Sequence, residues 1–292
     1  MVAPKDPLLP TTRRPHVLIL GDETKDKVSP LAVAAQTLLA DKKVKVTVDL
    51  KATYDPIESK PDLVIVIGGD GAILATSHRL QRRRVPVLGV NVGRVGFLSA
   101  VSPARLEKVL SDVFDDYYRL EQRALMSFSV KRKGEVVLDS HVLNEIVVTR
   151  LPEESMMSIE LVDERRPVCS YFGDGLIVST STGSTAYNLS AGGPILAPSL
   201  NALVVQPLAP HTLAMRPLVL RGDRHFSLRI NSPSTLNSDG HLEGNLQPGD
   251  RIRIGPSRRT LKLLVDPKNR FYSRLRSKLH WGETAGSGTD EV

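Results

Sequence analysis

The stretch Leu63-Val64-Ile65-Val66-Ile67-Gly68-Gly69-Asp70-Gly71 constrains this chain more than any other, because an unbroken apolar run ends in a glycine-rich turn with one carboxylate in it. Five consecutive branched or long apolar residues read as a strand buried on both faces, the signature of a parallel sheet covered by helices. Gly68, Gly69 and Gly71 allow backbone N–H groups to approach a polyphosphate closely. The segment from Ala72 to Arg84 has helical apolar spacing, so a helix N-terminus follows the turn and favours anions. Asp70 is the exception, since a carboxylate repels phosphates. It serves either to hold a bridging divalent cation or to accept a proton from an attacking hydroxyl. The loop lacks the Lys and Ser/Thr of a Walker A motif, and Leu74 stands where a dinucleotide fingerprint needs its third glycine. A tight turn with Asp70 as a simple helix cap is the bland alternative.

Around this strand the pattern alternates. His16 to Leu20 reads as a strand, Leu31 to Lys42 as a helix with a stripe of Leu31, Ala34, Ala35, Leu38 and Leu39, Val44 to Leu50 as alternating β, and Val85 to Val90 as a further strand. This predicts an α/β N-terminal domain with a doubly wound parallel sheet. Arg79, Arg82, Arg83 and Arg84 crowd the end of the Ala72 helix, where the dipole favours cations, and read as a solvated helix end. From Arg123 the chain changes to closely spaced strands, at Phe128–Lys131, Val136–Leu138, Val142–Thr149, Ser158–Val162, Leu176–Thr180, Phe226–Ile230, Arg251–Ile254 and Thr260–Val265. A β-rich, β-sandwich-like C-terminal domain follows. The expected division is a flexible tail at 1–14, an α/β phosphate-donor domain at 15–122, a β-rich domain at 123–267, a C-terminal helix at 268–281 packing back on the first domain, and a disordered tail at 282–292.

Two further segments carry chemistry. Asn144-Glu145 interrupts the apolar strand Val142–Val148, so alternation sends one side chain to each face. A buried one must then meet a ligand or an internal partner, because leaving it unpaired costs about 1–3 kcal/mol. Such a pair offers donor and acceptor to ribose hydroxyls or an adenine edge. The longest segment runs from Tyr171 to Pro194 and includes Gly173-Asp174-Gly175 and Ser181-Thr182-Gly183-Ser184-Thr185-Ala186-Tyr187. It reads as a strand feeding a hydroxyl-rich turn that opens a helix, with Ser184 or Thr185 as its cap and Asp174 as a turn former or ribose contact.

Composition limits the remaining classes. With 292 residues, 41% hydrophobic and 24% charged, the chain suits two cores of an ordinary globular protein. A net charge of +7 suits an anionic ligand without pointing to nucleic acid. The single Cys169 excludes a disulfide framework and a cysteine metal site, no apolar run reaches membrane-spanning length, and a cytoplasmic enzyme is expected. The seven histidines show no paired ligand spacing, so no protein-built metal site is expected, and no serine sits in a nucleophile elbow.

Taken together, GGDGAIL, the second glycine loop Asn91–Leu98, LNE at Leu143–Glu145, DGLIVSTSTGSTAYNLSAGGPI, PHTLAMRPLVL at Pro210–Leu220, Ser238-Asp239-Gly240 and the closing LRSKLHWG resemble the NAD kinases over nearly the whole chain. The resemblance implies transfer of a terminal phosphoryl group from ATP, or polyphosphate, to the 2′-hydroxyl of NAD, with Mg²⁺ (or Mn²⁺) bound alongside the donor. It implies an active site between the domains completed by a neighbouring subunit of a homodimer or homotetramer. Carried over by position, Asp70 is the base, Gly68, Gly69 and Gly71 the donor loop, and Asn144 and Glu145 hold NAD. Phe97 lies near adenine, and Asp174, Thr185, Ala186, Tyr187, Asn188, Ser190 and His241 fall at dinucleotide contacts, as does Gly71. Departures are Ala72 where the family has Thr, Met156 and Phe172 where it often has Arg, and Asn188 where Ser is common. Arg150, Arg165 or Arg166 are the candidates to replace the lost arginines. A dinucleotide sensor without activity, and a lipid or sugar kinase with a GGDG loop, are the competing readings.

Overall fold

The computed structural model describes residues 8–80, 83–93, 96–99, 101–115, 117–265 and 271–279. Arg82 of the basic cluster, Arg94 and Val95 of the second glycine loop, His280, Trp281 and the 282–292 tail lie outside the described residues, as does the first half of the 1–14 tail. The chain forms two compact units, 1–76 with 85–121 and 263–292, and 77–84 with 122–262.

The first unit carries β1 (His16–Leu20), α1 (Val28–Ala40), β2 (Lys45–Asp49), α2 (Pro56–Ser59), β3 (Leu63–Ile67), the start of α3 (Asp70–Leu80), β4 (Pro86–Val90) and α4 (Leu106–Phe114). Its strands run in the order β2-β1-β3-β4, every pair parallel. The expected α/β architecture is therefore present. β3 is buried along its whole length, Leu63, Val64 and Ile65 completely, as its unbroken apolar run requires. Each such side chain contributes about 1.5–3 kcal/mol through burial. The α1 helix starts at Val28, three residues earlier than the apolar stripe suggested, because Pro30 fits within a first helical turn that needs no N–H there. Its buried face is Val28, Ala32, Ala35 and Leu39, with Leu31 and Leu38 partly buried against the same core, whereas Ala34 is exposed. The α3 helix likewise begins at Asp70 rather than Ala72, which makes Gly71 a helical residue, and its last described residue is Leu80.

The second unit holds most of β5 (Arg119–Arg132), then β6 (Glu135–Val142), β7 (Glu145–Arg150), β8 (Met157–Asp163), β9 (Arg166–Gly173), β10 (Gly175–Thr180), the single turn α5 (Tyr187–Ser190), β11 (Ala202–Leu208), β12 (Leu218–Arg221), β13 (Phe226–Ile230), β14 (Ser234–Ser238), β15 (His241–Leu246) and the body of β16 (Arg251–Val265). The chain closes with α6 (Phe271–Leu279), which belongs to the first unit. One antiparallel sheet of the second unit has the order β12-β11-β10-β7-β14-β15; β16, β13, β8 and β9 form an antiparallel run in the other. A shared core of Val148, Leu176, Val178, Leu161, Leu228 and Ile252 draws on both, which is the β-rich architecture expected.

Three expectations change here. Arg251–Ile254 and Thr260–Val265 are one continuous strand, β16. Val142–Thr149 is two strands: β6 ends at Val142, the chain bends at Leu143-Asn144, and β7 starts at Glu145 in the other sheet. Alternation therefore does not govern Asn144 and Glu145, because the chain turns between sheets where they sit. Finally, the turn after β10 opens a 3₁₀ turn at Gly183–Thr185 and then one turn of α5, with no side-chain cap on either.

Candidate active site

In the first unit β3 delivers Asp70 to the head of α3, but the carboxylate does not cap its own helix. Its Oδ2 accepts the N–H of Phe97 at 2.8 Å, and its Oδ1 accepts the N–H groups of Leu98 (3.1 Å) and Ser99 (2.9 Å) and the hydroxyl of Ser99 (3.0 Å). The 96–99 segment is braced in turn by Asn91, whose Nδ2 donates to Ser99 Oγ at 3.0 Å and whose Oδ1 accepts from Gly93 N–H at 2.6 Å. Gly96 has to be glycine, since a Cβ there would lie 1.8 Å from Asp70 Oδ1. The opposite holds at Gly69 and Gly71. Neither has a left-handed backbone, and a Cβ at either meets nothing within 4 Å. Folding does not require glycine at these two positions, so a close external approach is the physical reason left for them.

Lys278 of α6 places its ammonium 4.8 Å from the centroid of the Phe97 ring. One face of the aromatic ring that the resemblance assigns to adenine is thus covered by a cation. Arg274, one turn earlier on the same helix, is buried, and that burial lowers its pKa; Glu121 at 3.9 Å and Asp70 oppose the shift only in part.

In the second unit a sheet edge collects the remaining motifs. β7 lies between β10 and β14, antiparallel to both, with Glu145 opposite Ser179 and Ile146 opposite Ser238. The end of β10, the start of β7 and the end of β14 therefore meet, which brings the Ser/Thr loop, Asn144-Glu145 and Ser238-Asp239-Gly240 together from across more than ninety residues of sequence. Asp239 organises this edge. Its Oδ2 accepts the N–H of Leu143 at 2.8 Å and its Oδ1 those of Asn144 (2.8 Å) and Glu145 (3.1 Å), while its own N–H donates to Glu145 O at 2.9 Å. Its fourth partner is Nε2 of His78, from the end of α3, at 2.9 Å. Asp239 adopts a left-handed backbone with φ 45°, and Gly240 follows with φ 85°, the turn that lets the side chain point back at the bend.

The Ser/Thr loop is fastened to the other side of the same bend. Thr180 donates through its backbone N–H to Asn144 O (2.8 Å) and through Oγ1 to Leu143 O (2.6 Å), and Gly183 packs so closely that a Cβ would come within 2.4 Å of Asn144 O. Glu145 is buried, and its Oε2 has no hydrogen-bond partner among the described residues. Burial, reinforced by the charge of Asp239, pushes its carboxyl pKa up to about 8, so at neutral pH it is a protonated acid able to donate. His78 moves upward from the usual histidine value because Asp239 accepts a hydrogen bond from its ring and favours the imidazolium.

The other expected contacts divide by exposure. Tyr187, Ser190 and His241 are exposed, and Thr185 and Ala186 partly so. Asp174 is paired through Oδ1 with Arg150 Nε at 2.7 Å, so Arg150 already has an anion to bind. One reading needs correction. Ser184 is fully buried; its single hydroxyl proton goes to the Ser181 carbonyl at 2.8 Å, with Leu196 O a longer alternative at 3.2 Å, and its oxygen accepts the Leu196 N–H, so it does not cap a helix. Asn188 is also fully buried and uses Nδ2 on Ser184 O and Pro194 O. Nδ2 thus ties the loop together from within, while Oδ1 has no hydrogen-bond partner among the described residues. Sequence reasoning singled out the Ser238-Asp239-Gly240 turn but did not place Asp239, His78 or Ser99 in a site. For Asp239 an Asp-Gly turn signal was available; for His78 and Ser99 there was none.

Models of two protein families match this chain: the ATP-NAD kinase N-terminal domain over residues 20–118 and the ATP-NAD kinase C-terminal domain over residues 143–265. The NAD kinase of Magnetococcus marinus is 42% identical over 232 residues, covering 78% of this chain and 77% of its own. That of Rhodopirellula baltica is 36% identical over 272 residues, 92% and 88% respectively. Among solved structures, yeast NADH kinase complexed with NADH gives a TM-score of 0.83 at 23% identity over 94% of this chain and 89% of that one. An NAD kinase from Archaeoglobus fulgidus in complex with ATP gives 0.75 at 24% identity over 91% and 98%. Fold and sequence thus define a phosphotransferase. More narrowly, the chain belongs to the NAD kinase family.

Proposed function

We propose that this chain transfers the terminal phosphoryl group of ATP to the 2′-hydroxyl of the NAD adenosine ribose, giving NADP. The observation that carries the reading is Asp70, a partly exposed carboxylate fixed by four hydrogen bonds beside two glycines that the fold itself does not need. In this reading Gly68, Gly69 and Gly71 and the head of α3 receive the donor phosphates. Asp70 Oδ2, which takes one hydrogen bond among the described residues, accepts the 2′-hydroxyl proton as the O2′–P bond forms and the bond from phosphorus to the ADP oxygen breaks. The protonated Glu145 donates to a ribose oxygen and Asn144 supplies a second polar contact, while Tyr187, Asp174 and His241 border the dinucleotide. Phe97 supports adenine on the ring face left by Lys278.

Among the described residues no group of three or more His, Cys, Asp or Glu side chains forms a metal site. A divalent cation, Mg²⁺ or Mn²⁺, would be bound with the phosphate donor and neutralise its charge. The residues at 15–122 would then act as the donor domain and those at 123–267 as the acceptor domain of a homodimer or homotetramer. Exposed Phe172 and Tyr187 suit a face completed by a second copy. Among the described residues no helix is long and apolar enough to cross a membrane, and the free Cys169 accords with a cytoplasmic location.

The test is incubation with Mg²⁺, NAD and either ATP or polyphosphate, with NADP as the readout. NADP from ATP is expected; NAD binding without product would favour a sensor, and phosphorylation of a lipid or sugar instead would favour the other kinases.

A further inference from the structure

Outside the groups assigned to chemistry, one buried cluster is far more elaborate than a turn requires. Asp239 has a side chain with no exposure, yet it is an acid inside a β-sheet edge. Three of its four donors are consecutive backbone N–H groups at Leu143, Asn144 and Glu145, the bend from which the acceptor residues project. The fourth is the only one that can change charge. His78 reaches it from α3 with its side chain about a third exposed and its Nε2 engaged by the Asp239 carboxylate. The groups facing His78 are Asp239 and Glu243, which favour its charged form, Arg259, which opposes it, and the ring of His241 with its centroid 6.4 Å away.

We propose that His78 is a positioning residue for acceptor binding: through the Asp239 carboxylate it holds the Leu143–Glu145 bend in its binding shape, and its positive charge makes that corner compatible with an anionic dinucleotide. The proposal rests on the reading that Asn144 and Glu145 bind NAD. With His78 charged, Asp239 ionised and Glu145 protonated, the corner is neutral overall. When His78 loses its proton the hydrogen bond can persist through the neutral ring, but the corner acquires one net negative charge. Ionisation of Glu145 adds a second. Each step places negative charge beside the site for a ligand whose own pyrophosphate is anionic, so affinity for NAD falls as pH rises while the donor site in the first unit is not involved.

The experiment compares the wild type with His78→Gln, which keeps an N–H donor without the charge, and His78→Ala, which keeps neither. Initial rates give KM for NAD, KM for ATP and kcat from pH 6 to 9, and calorimetry gives direct NAD binding. Expected for His78→Ala is a rise in NAD KM of about tenfold or more, the scale of one lost charge-assisted hydrogen bond, with kcat and ATP KM within about twofold. His78→Gln should fall between the two, and its NAD affinity should vary less with pH than that of the wild type, retaining only the Glu145 step. An unchanged NAD KM in folded His78→Ala, a loss confined to kcat, or an unaltered pH profile in His78→Gln would overturn the assignment. If His78→Ala does not fold, the pH profile of NAD binding to His78→Gln decides alone. Absence of NADP formation by the wild type would instead remove the catalytic reading, and calorimetry would still decide whether His78 controls NAD binding.

Discussion

Asp70 and Asp239 are two versions of one device. Each carboxylate captures three consecutive backbone N–H groups from a segment distant in sequence, Phe97–Ser99 in one case and Leu143–Glu145 in the other, and each takes a fourth hydrogen bond from a side chain. They differ in the fourth donor and in burial. Asp70 receives the neutral hydroxyl of Ser99 and stays partly exposed, whereas Asp239 receives a titratable imidazole and is sealed. The same wiring therefore leaves one acid available to react and commits the other to shaping its surroundings.

That contrast is open to direct attack. The largest effect is expected from Asp70→Asn, which should reduce turnover by about 10²–10⁴-fold, the usual range for losing a general base, with NAD still bound. NADP formation by this variant at near-normal rate would end the contrast. Next comes pH. Glu145 holds its proton up to about pH 8 when folded, against 4.5 for a glutamate carboxyl free in water, so the unfolded chain binds fewer protons throughout that window and stability falls as pH rises. The slope approaches about 1.4 kcal/mol per pH unit for one such group. His78, with its raised pKa, adds stability that is complete below its unfolded value and is lost as pH rises through the folded one, so it acts in the same direction. Urea titrations at pH 5.5 and 8.5 should show the fall, and Glu145→Gln should flatten it.

Asp239→Asn should cost about 1–3 kcal/mol in the same assay, because an amide nitrogen would face backbone donors left without an acceptor. Gly71→Ala sharpens the comparison from the Asp70 side: with open space at the Cβ position and a helical residue to replace, stability should rise by up to about 1 kcal/mol. ATP affinity should nonetheless fall about tenfold, equivalent to about 1.4 kcal/mol. The smallest change is Lys278→Ala, expected to remove about 0.5–1 kcal/mol of stability with the cation–π contact to Phe97.

What could be read from sequence follows from how local the determining physics is. β3 and the turn after it were legible because a fully buried parallel strand leaves an unbroken apolar run. Strands β9, β11 and β14 were not, since Pro167 and Pro207 interrupt the first two and Ser234–Ser238 carries too many polar residues. The polar pair Asn144-Glu145 was visible as an anomaly, but its cause, a crossing from one sheet to another held by Asp239, depends on partners 94 and 95 residues away. The hidden roles of Ser184, expected to cap a helix, and of Asn188 have the same cause. Composition identifies a hydroxyl or amide, and only packing shows that the Ser184 hydroxyl and the Asn188 Nδ2 are already used inside the loop.

The contact between Gly96 and Asp70 reaches beyond this one molecule. The acid leaves no room for a side chain at position 96, so the two sites form a single unit of inheritance. A descendant that lost its reaction and with it the acid would be released at both positions at once, and substitution at 96 would record that loss even where position 70 had since drifted back to a polar residue.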